Sequence, residues 1–349
     1  MKKIIIFSII LFVISYVTYQ NSINTALDKN GEDVQFVVST GEGVNQISVN
    51  LYEKNLIKSK FFFEVYLWQK KLEEKIQAGT YVFNPKMTIK QISEALIIGK
   101  TITNEITIKT IEGWTSKQVG QYFENKGMFQ SEELLELVGF PNYDYKKNKE
   151  NLPPLVSFKN DFSVLVDKPE QVGLEGYLFP DTYRIYRDAS LVDVVKKMLG
   201  NLENKFTLQM KNDIKSQGKT IYEIITMASI IEKEVRTEKD MKTVSGVFWN
   251  RIKNMQALES CATLAYILGE NKPQYSIEDT KIDSPYNTYQ NRGLPPGPVC
   301  NPGIQAIRSA IYPEFTSYNF FLSRPDTGET VFSSSYQEHL RNKNKYLTK

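Results

Sequence analysis

The chain has 349 residues, 41% of them hydrophobic and 24% charged, which is enough apolar material for a real core in roughly two or three domains of about 100–200 residues each. Its 43 basic and 40 acidic residues leave a formal charge of +3, without the concentrated basic face that nucleic acid demands. One histidine, His339, and two cysteines, Cys261 and Cys300, leave no basis for a zinc site of several His or Cys ligands. No metal or cofactor is called for, and any chemistry falls to carboxylates with a few polar helpers.

Lys2-Lys3 precede an uncharged apolar run over residues 4–19. At 1.5 Å per residue it reaches roughly 24 Å, close to the ~30 Å hydrocarbon core once the flanking residues and snorkelling lysines are included. A cleaved signal peptide has a shorter apolar stretch and a small-residue cleavage site, and Ser-Ile-Asn-Thr-Ala26 matches that weakly. The expectation is therefore a transmembrane signal anchor over residues 1–20. It places the chain in the cytoplasmic membrane through residues 4–20, with the remainder on the extracytoplasmic side. In an oxidising compartment Cys261 and Cys300 are a candidate disulfide, the alternative being two separate thiols.

Residues 21–33 read as a polar linker. Val34–Val38 alternates like a strand, and Ile47, Leu51, Leu56 and Ile57 approximate helical spacing. A helix over Phe61–Leu72, a strand over Ala78–Phe83 and a helix over Met87–Leu96 complete a β-α-α-β-α unit within residues 34–103. Glu105–Ile111 alternates again, and Glu112-Gly113 echoes Glu42-Gly43 in a strand-to-helix turn. A second strand–helix module and a loop-rich connection are thus expected over residues 104–170. Residues 171–349 form the last domain, with helices over Leu191–Met210, over Tyr222–Ile252 broken near Thr237, and over Ile304–Ile311. A hairpin over Tyr318–Leu322 and Thr330–Phe332 closes it. The fold class is α+β.

Thr226–Glu234 places two carboxylates, Glu232 and Glu234, on opposite flanks of an apolar helical stripe made by Ile221, Ile224, Ala228, Ile231 and Val235. A carboxyl group beside an apolar wall loses water and retains its proton towards neutral pH, as the acid glutamate of lysozyme does. The bland reading is a solvated or ion-paired glutamate, and the helical wheel does not choose between the two. Pro285, Pro295, Pro296, Gly297 and Pro302 stiffen loops that carry Tyr286, Asn287, Thr288 and Tyr289. Aromatics with amides and hydroxyls suit a sugar, which offers C–H faces and hydroxyls together.

Several motifs occur in one order: Ala78–Phe83, Leu174–Tyr183, Met227–Glu234, Val247–Arg251, Tyr286–Tyr289, Gly293–Gly297 and Asn301–Gly303. Together they resemble the endolytic murein transglycosylase, or YceG-like, family across nearly the whole chain. The resemblance implies a membrane-anchored enzyme that cuts peptidoglycan glycan strands internally, with a LysM-like subdomain ahead of the catalytic domain. It points to Glu234 as the catalytic residue. Glu232, Tyr183, Tyr286, Asn287, Thr288, Tyr289, Pro295, Pro296 and His339 are then candidate substrate-binding residues. Peptidoglycan strands and cell-wall synthesis proteins are the implied partners. One departure is Leu258–Thr263, where Cys261 stands in place of the family's aspartate and a Cys261–Cys300 bridge would brace two loops. His339 is either substrate-facing or a hydrogen-bonded structural residue. The rival functions are a non-catalytic LysM-type anchor and a hydrolytic muramidase that draws a second carboxylate from Glu232, Glu175 or Asp181.

Overall fold

A computed structural model describes residues 2–28, 31–99, 105–141, 145, 155–272 and 274–347, the side chains of residues 2–6, 8–10 and 12 lying outside the description. The 103/104 boundary, the Lys/Asn run and Pro153-Pro154 of the expected connection fall outside these residues. The chain divides into two compact units, residues 1–106 with 184–188, and residues 107–183 with 189–349.

The first unit opens with α1 (Lys2–Asn24). Among the described residues no helix is long and apolar enough to cross a membrane. The polar linker expected from residue 21 begins later, because α1 continues to Asn24 and buries Ile23 in the unit's core. Tyr19 also donates its hydroxyl to Gln69 Oε1 at 2.6 Å. There follow β1 (Val34–Val38), α2 (Val44–Glu53), α3 (Lys60–Lys70), β2 (Gly79–Phe83) and α4 (Ile89–Ile98). The strands pair antiparallel, Phe36 opposite Tyr81. Alternation turns Phe36, Val38, Tyr81 and Phe83 to one buried face, each large side chain contributing roughly 1.5–3 kcal/mol by leaving water. Ile47, Leu51, Phe63, Leu67, Ile92 and Leu96 cover that face from α2, α3 and α4. The expected β-α-α-β-α order is the observed one.

The same order recurs. β3 (Glu105–Lys109), α5 (Ser116–Asn125) and α6 (Ser131–Val138) precede β4 (Thr182–Tyr186), which pairs with β3, and α7 (Leu191–Lys205) follows. Thr88 and Thr115 start α4 and α5 with the same capping box, closed by Gln91 and Gln118. The single helix expected over Leu191–Met210 is two, α7 and α8 (Leu208–Ser216). Thr207 between them caps a new start by accepting the Met210 N–H at 3.2 Å.

α9 (Ile221–Glu234) starts at a capping box of Thr220 and Glu223 and is buried on nearly all sides. Its middle, residues 224–231, is buried on every side, and α9 packs against α8, α10 (Glu238–Lys253), α11 (Cys261–Leu268) and α12 (Ile304–Ile311). The break expected near Thr237 is the α10 N-cap, whose hydroxyl accepts the Asp240 N–H at 3.1 Å. Gly246 is required on α10 because a Cβ there would meet the Glu314 carbonyl oxygen at 2.2 Å. β5 (Phe320–Ser323) and β6 (Thr330–Ser333) form the expected antiparallel hairpin, and α13 (Tyr336–Tyr346) follows.

Candidate active site

Glu234 is the last residue of α9, so the negative end of the helix dipole disfavours its ionised form. Facing it is Ser260, the N-cap of α11, whose hydroxyl accepts the Ala262 N–H at 3.2 Å and donates to Glu234 Oε1. Burial pushes the Glu234 carboxyl above the ordinary glutamate range. The Ser260 hydrogen bond, the Ala262 backbone N–H and the Arg251 charge oppose that rise without cancelling it. A half-buried carboxylic acid with one ordered hydroxyl beside it is the result.

Two elements hold Ser260 in place. Its N–H donates to Thr288 Oγ1 at 3.1 Å, and that hydroxyl lies 2.9 Å from Thr263 Oγ1. Glu259, with φ of 52°, takes the left-handed conformation that non-glycine residues rarely adopt, and its N–H donates to the Thr288 carbonyl at 3.1 Å. Arg251 reaches the same loop from α10. Its Nη1 donates to the Leu258 carbonyl at 2.7 Å, while Nε and Nη2 donate to the Asn319 carbonyl at 3.0 and 2.8 Å.

The Tyr286–Tyr289 segment divides its labour. Asn287 is fully buried, its amide donating to the Thr280 and Ile282 carbonyls at 3.1 and 2.8 Å while Oδ1 accepts the Tyr289 N–H at 3.0 Å. Thr288 is buried as well, so these two residues form the loop's internal brace. Tyr286 packs its ring 5.1 Å from Tyr266. The half-buried Tyr289 faces the site, its hydroxyl 3.3 Å from Cys261 Sγ and its pKa raised by burial first and by Cys261 next. Pro295 is buried, whereas Pro296 is exposed and its carbonyl accepts the Tyr222 hydroxyl.

The other expected residues have separate posts. Glu232 accepts the Gly303 N–H at 2.9 Å at the start of α12. Burial first, and then neighbouring Glu112, lift its pKa to about 7. Gly303 leaves room there, since a Cβ would lie 2.0 Å from Glu112 Oε1. Tyr183 is a core residue whose hydroxyl donates to the Phe179 carbonyl at 2.5 Å. His339, on α13, stacks on Phe320 with ring centroids 5.3 Å apart. Its Nδ1 has no partner among the described residues, and burial followed by Lys343 and Arg251 lowers its pKa.

The disulfide expectation is corrected: Cys261 and Cys300 are both free. Cys261, at the first position of α11, faces Tyr289, whereas buried Cys300 donates its thiol to the Ser229 carbonyl at 3.2 Å. Each thiol is directed to its own partner.

Asn301 joins the remaining motifs. Its Oδ1 accepts the Leu178 N–H at 2.9 Å, and its amide donates to the Trp114 carbonyl at 2.9 Å and to Glu175 Oε1 at 3.2 Å. Glu175, buried and lifted to about pKa 8 by desolvation, accepts the Ser116 N–H at the start of α5. A groove of about 200 Å³ opens between α5, the end of α9 and α11, with Lys233 and Ala262 in its wall. Sequence reading missed Ser260 and Arg251 as site residues, although both stand inside the family-like motifs. Their signal was the polar residue type at a loop and at a helix end.

The chain matches the YceG-like family over residues 36–345. It belongs to that family. An endolytic murein transglycosylase of Bacillus subtilis (strain 168) is 32% identical over 334 residues, 95% of this chain and 89% of that protein. Another, from Streptococcus pneumoniae (strain ATCC BAA-255 / R6), is 28% identical over 361 residues. That match covers 97% of this chain and 63% of the longer pneumococcal protein. The crystal structure of a YceG-like protein from Listeria monocytogenes superposes with a TM-score of 0.57 at 29% identity, covering 90% of this chain and all of that one. Membership in the YceG-like family thus rests on sequence and fold together.

Proposed function

We propose that this chain is an endolytic peptidoglycan transglycosylase in which Glu234 serves as the single general acid and base. The observation that carries the reading is the half-buried Glu234 carboxyl, raised in pKa and oriented by Ser260. Protonated Glu234 gives its proton to the glycosidic oxygen between N-acetylmuramic acid and N-acetylglucosamine, while positive charge develops at C1 of the muramyl ring. The muramyl 6-hydroxyl attacks C1 and releases its proton to the Glu234 carboxylate, which restores the acid. The muramyl end becomes a 1,6-anhydro sugar and no water is consumed.

A hydrolytic muramidase would need a second carboxylate. Glu175 is held by the Ser116 N–H and Asn301, and Glu232 by the Gly303 N–H. Asp181 accepts from the Asn201 amide at 2.9 Å and the Thr182 N–H at 2.7 Å. These engagements favour the one-carboxylate reading. The deciding experiment is mass spectrometry of murein digested by the protein. Muramyl ends lighter by one water than reducing ends support transglycosylation, and reducing ends overturn it.

Membrane anchorage through residues 4–20 belongs to the same proposal. Although no helix among the described residues is long and apolar enough to cross a membrane, α1 is continuous, and Phe7, Leu11, Val13, Ile14 and Val17 each expose more than half of their surface, which leaves apolar side chains for lipid. The catalytic domain would then lie on the extracytoplasmic side, following a LysM-like first unit in the chain.

Ser260 provides a test of the acid. Its hydroxyl stabilises the ionised carboxylate, so Ser260→Ala should raise the Glu234 pKa further. Because the working form is protonated, kcat/KM falls as pH rises through that pKa. The basic limb of the profile should therefore move to higher pH in the variant. Loss of the α11 cap should also lower stability by about 1 kcal/mol in a urea titration. A limb that stays in place or moves down would remove Ser260 from the acid's surroundings.

A further inference from the structure

The groove beside Glu234 has a composition that the acid alone does not explain. Its walls include Lys117 and Gln121 from α5, Lys233 from the end of α9, Ala262 and Tyr266 from α11, and Asn271 beyond it. Lys117 is exposed and makes no ion pair among the described residues, and Lys233 reaches only the Gly113 carbonyl by hydrogen bond, at 3.4 Å. The one acidic residue in the wall, Glu270, already faces Lys272 at 3.4 Å. Lys233 also lies near Glu232, whose carboxylate it favours, so the groove presents the free charge of Lys117 and the partly offset charge of Lys233, with the amides of Gln121 and Asn271 beside them. It also adjoins the reacting centre, since the wall residue Ala262 donates its N–H to the same Ser260 hydroxyl that meets Glu234.

An occupant of this groove must be anionic, able to accept hydrogen bonds, and attached close to the bond being cut. In peptidoglycan the muramyl ring bears a peptide on its lactyl group, and the carboxylates of that peptide are the anionic groups nearest the scissile linkage. We infer that the groove is a subsite for the carboxylate-bearing stem peptide of the muramyl residue at the cleavage point, with Lys117 and Lys233 holding its charge. The inference rests on the transglycosylase reading and adds a specificity to it: strands whose stem peptides carry free carboxylates are preferred over strands whose peptide carboxylates are amidated.

The test compares glycan strands whose stem peptides keep their free carboxylates with the same strands whose peptide carboxylates have been converted to amides. Wild-type protein should show the higher kcat/KM on the strands with free carboxylates. Lys117→Gln should reduce the ratio of the two kcat/KM values about fivefold, the scale of one partly exposed charge pair, whereas Lys117→Arg should retain the wild-type ratio. Gln121→Glu, which brings a negative charge to the same wall, should lower the ratio as well and serves should Lys117→Gln fail to fold. Equal wild-type rates on the two substrates, or a ratio unmoved by the substitutions, overturns the subsite while leaving the transglycosylase intact. Cleavage of neither substrate by the wild type overturns the transglycosylase reading, and the subsite with it.

Discussion

Glu234→Gln should reduce glycan cleavage at least ~100-fold, the usual scale for loss of a general acid and base, while leaving the folded protein unharmed. The amide matches the carboxyl in shape and still offers an oxygen to the Ser260 hydroxyl. What it lacks is a transferable proton. The change also removes an ionisable group from a partly dehydrated place, so stability should be unchanged or slightly higher. Activity and stability therefore part company, which a merely structural glutamate would not allow. Release of anhydro-muramyl ends and a thermal melt, measured on the same preparation, check both halves. Undiminished cleavage would remove Glu234 from the chemistry, and a non-catalytic anchor predicts that the substitution changes nothing.

Local patterns were legible wherever one element determines them. The strand expected over Val34–Val38 and the helix expected over Ile304–Ile311 have those same bounds in the fold. The Thr237 break was legible because a threonine followed by acidic residues is a helix start. Not every short helix was. α11 has the same eight residues as α12 in length but is apolar without a clear stripe, so periodicity did not mark it. The Leu191–Met210 pattern continued through Phe206 because α7 and α8 each bury apolar residues and Phe206 between them is buried too.

The site was legible only in part, for a related reason. Residue types in the Glu232–Glu234 pair say that a carboxylate meets an apolar surface, but not which partner each one finds. Glu232 meets the start of α12, and Glu234 meets the start of α11, a division set by helices distant in sequence. Asn287 and Thr288 have the residue types of sugar contacts, yet their polar atoms are occupied by loop carbonyls and hydroxyls. Cys261 and Cys300 share a domain, but sequence carries no measure of the direction in which a thiol points.

Arg251 should prove the most sensitive residue that touches no substrate. It exposes 7% of its surface, and its guanidinium lies 5.4 Å from the Phe320 ring centroid. Its donors satisfy the Leu258 and Asn319 carbonyls, thereby tying the loop before Ser260 to the loop before β5. Arg251→Ala leaves those carbonyls without a partner and opens a void. Each buried unsatisfied group costs roughly 1–3 kcal/mol, so a loss of about 3 kcal/mol in a urea titration is expected. The positioning role predicts more than this loss. The Arg251 charge favours ionised Glu234, so its removal should raise that pKa and carry the basic limb of kcat/KM to higher pH. Arg251→Lys retains the positive charge but not the planar fork that reaches two loops at once. It should therefore lose stability and rate while the limb remains near its wild-type position. An Arg251→Ala profile that only drops in height, with the limb unmoved, would leave the residue a brace for the loops and nothing more.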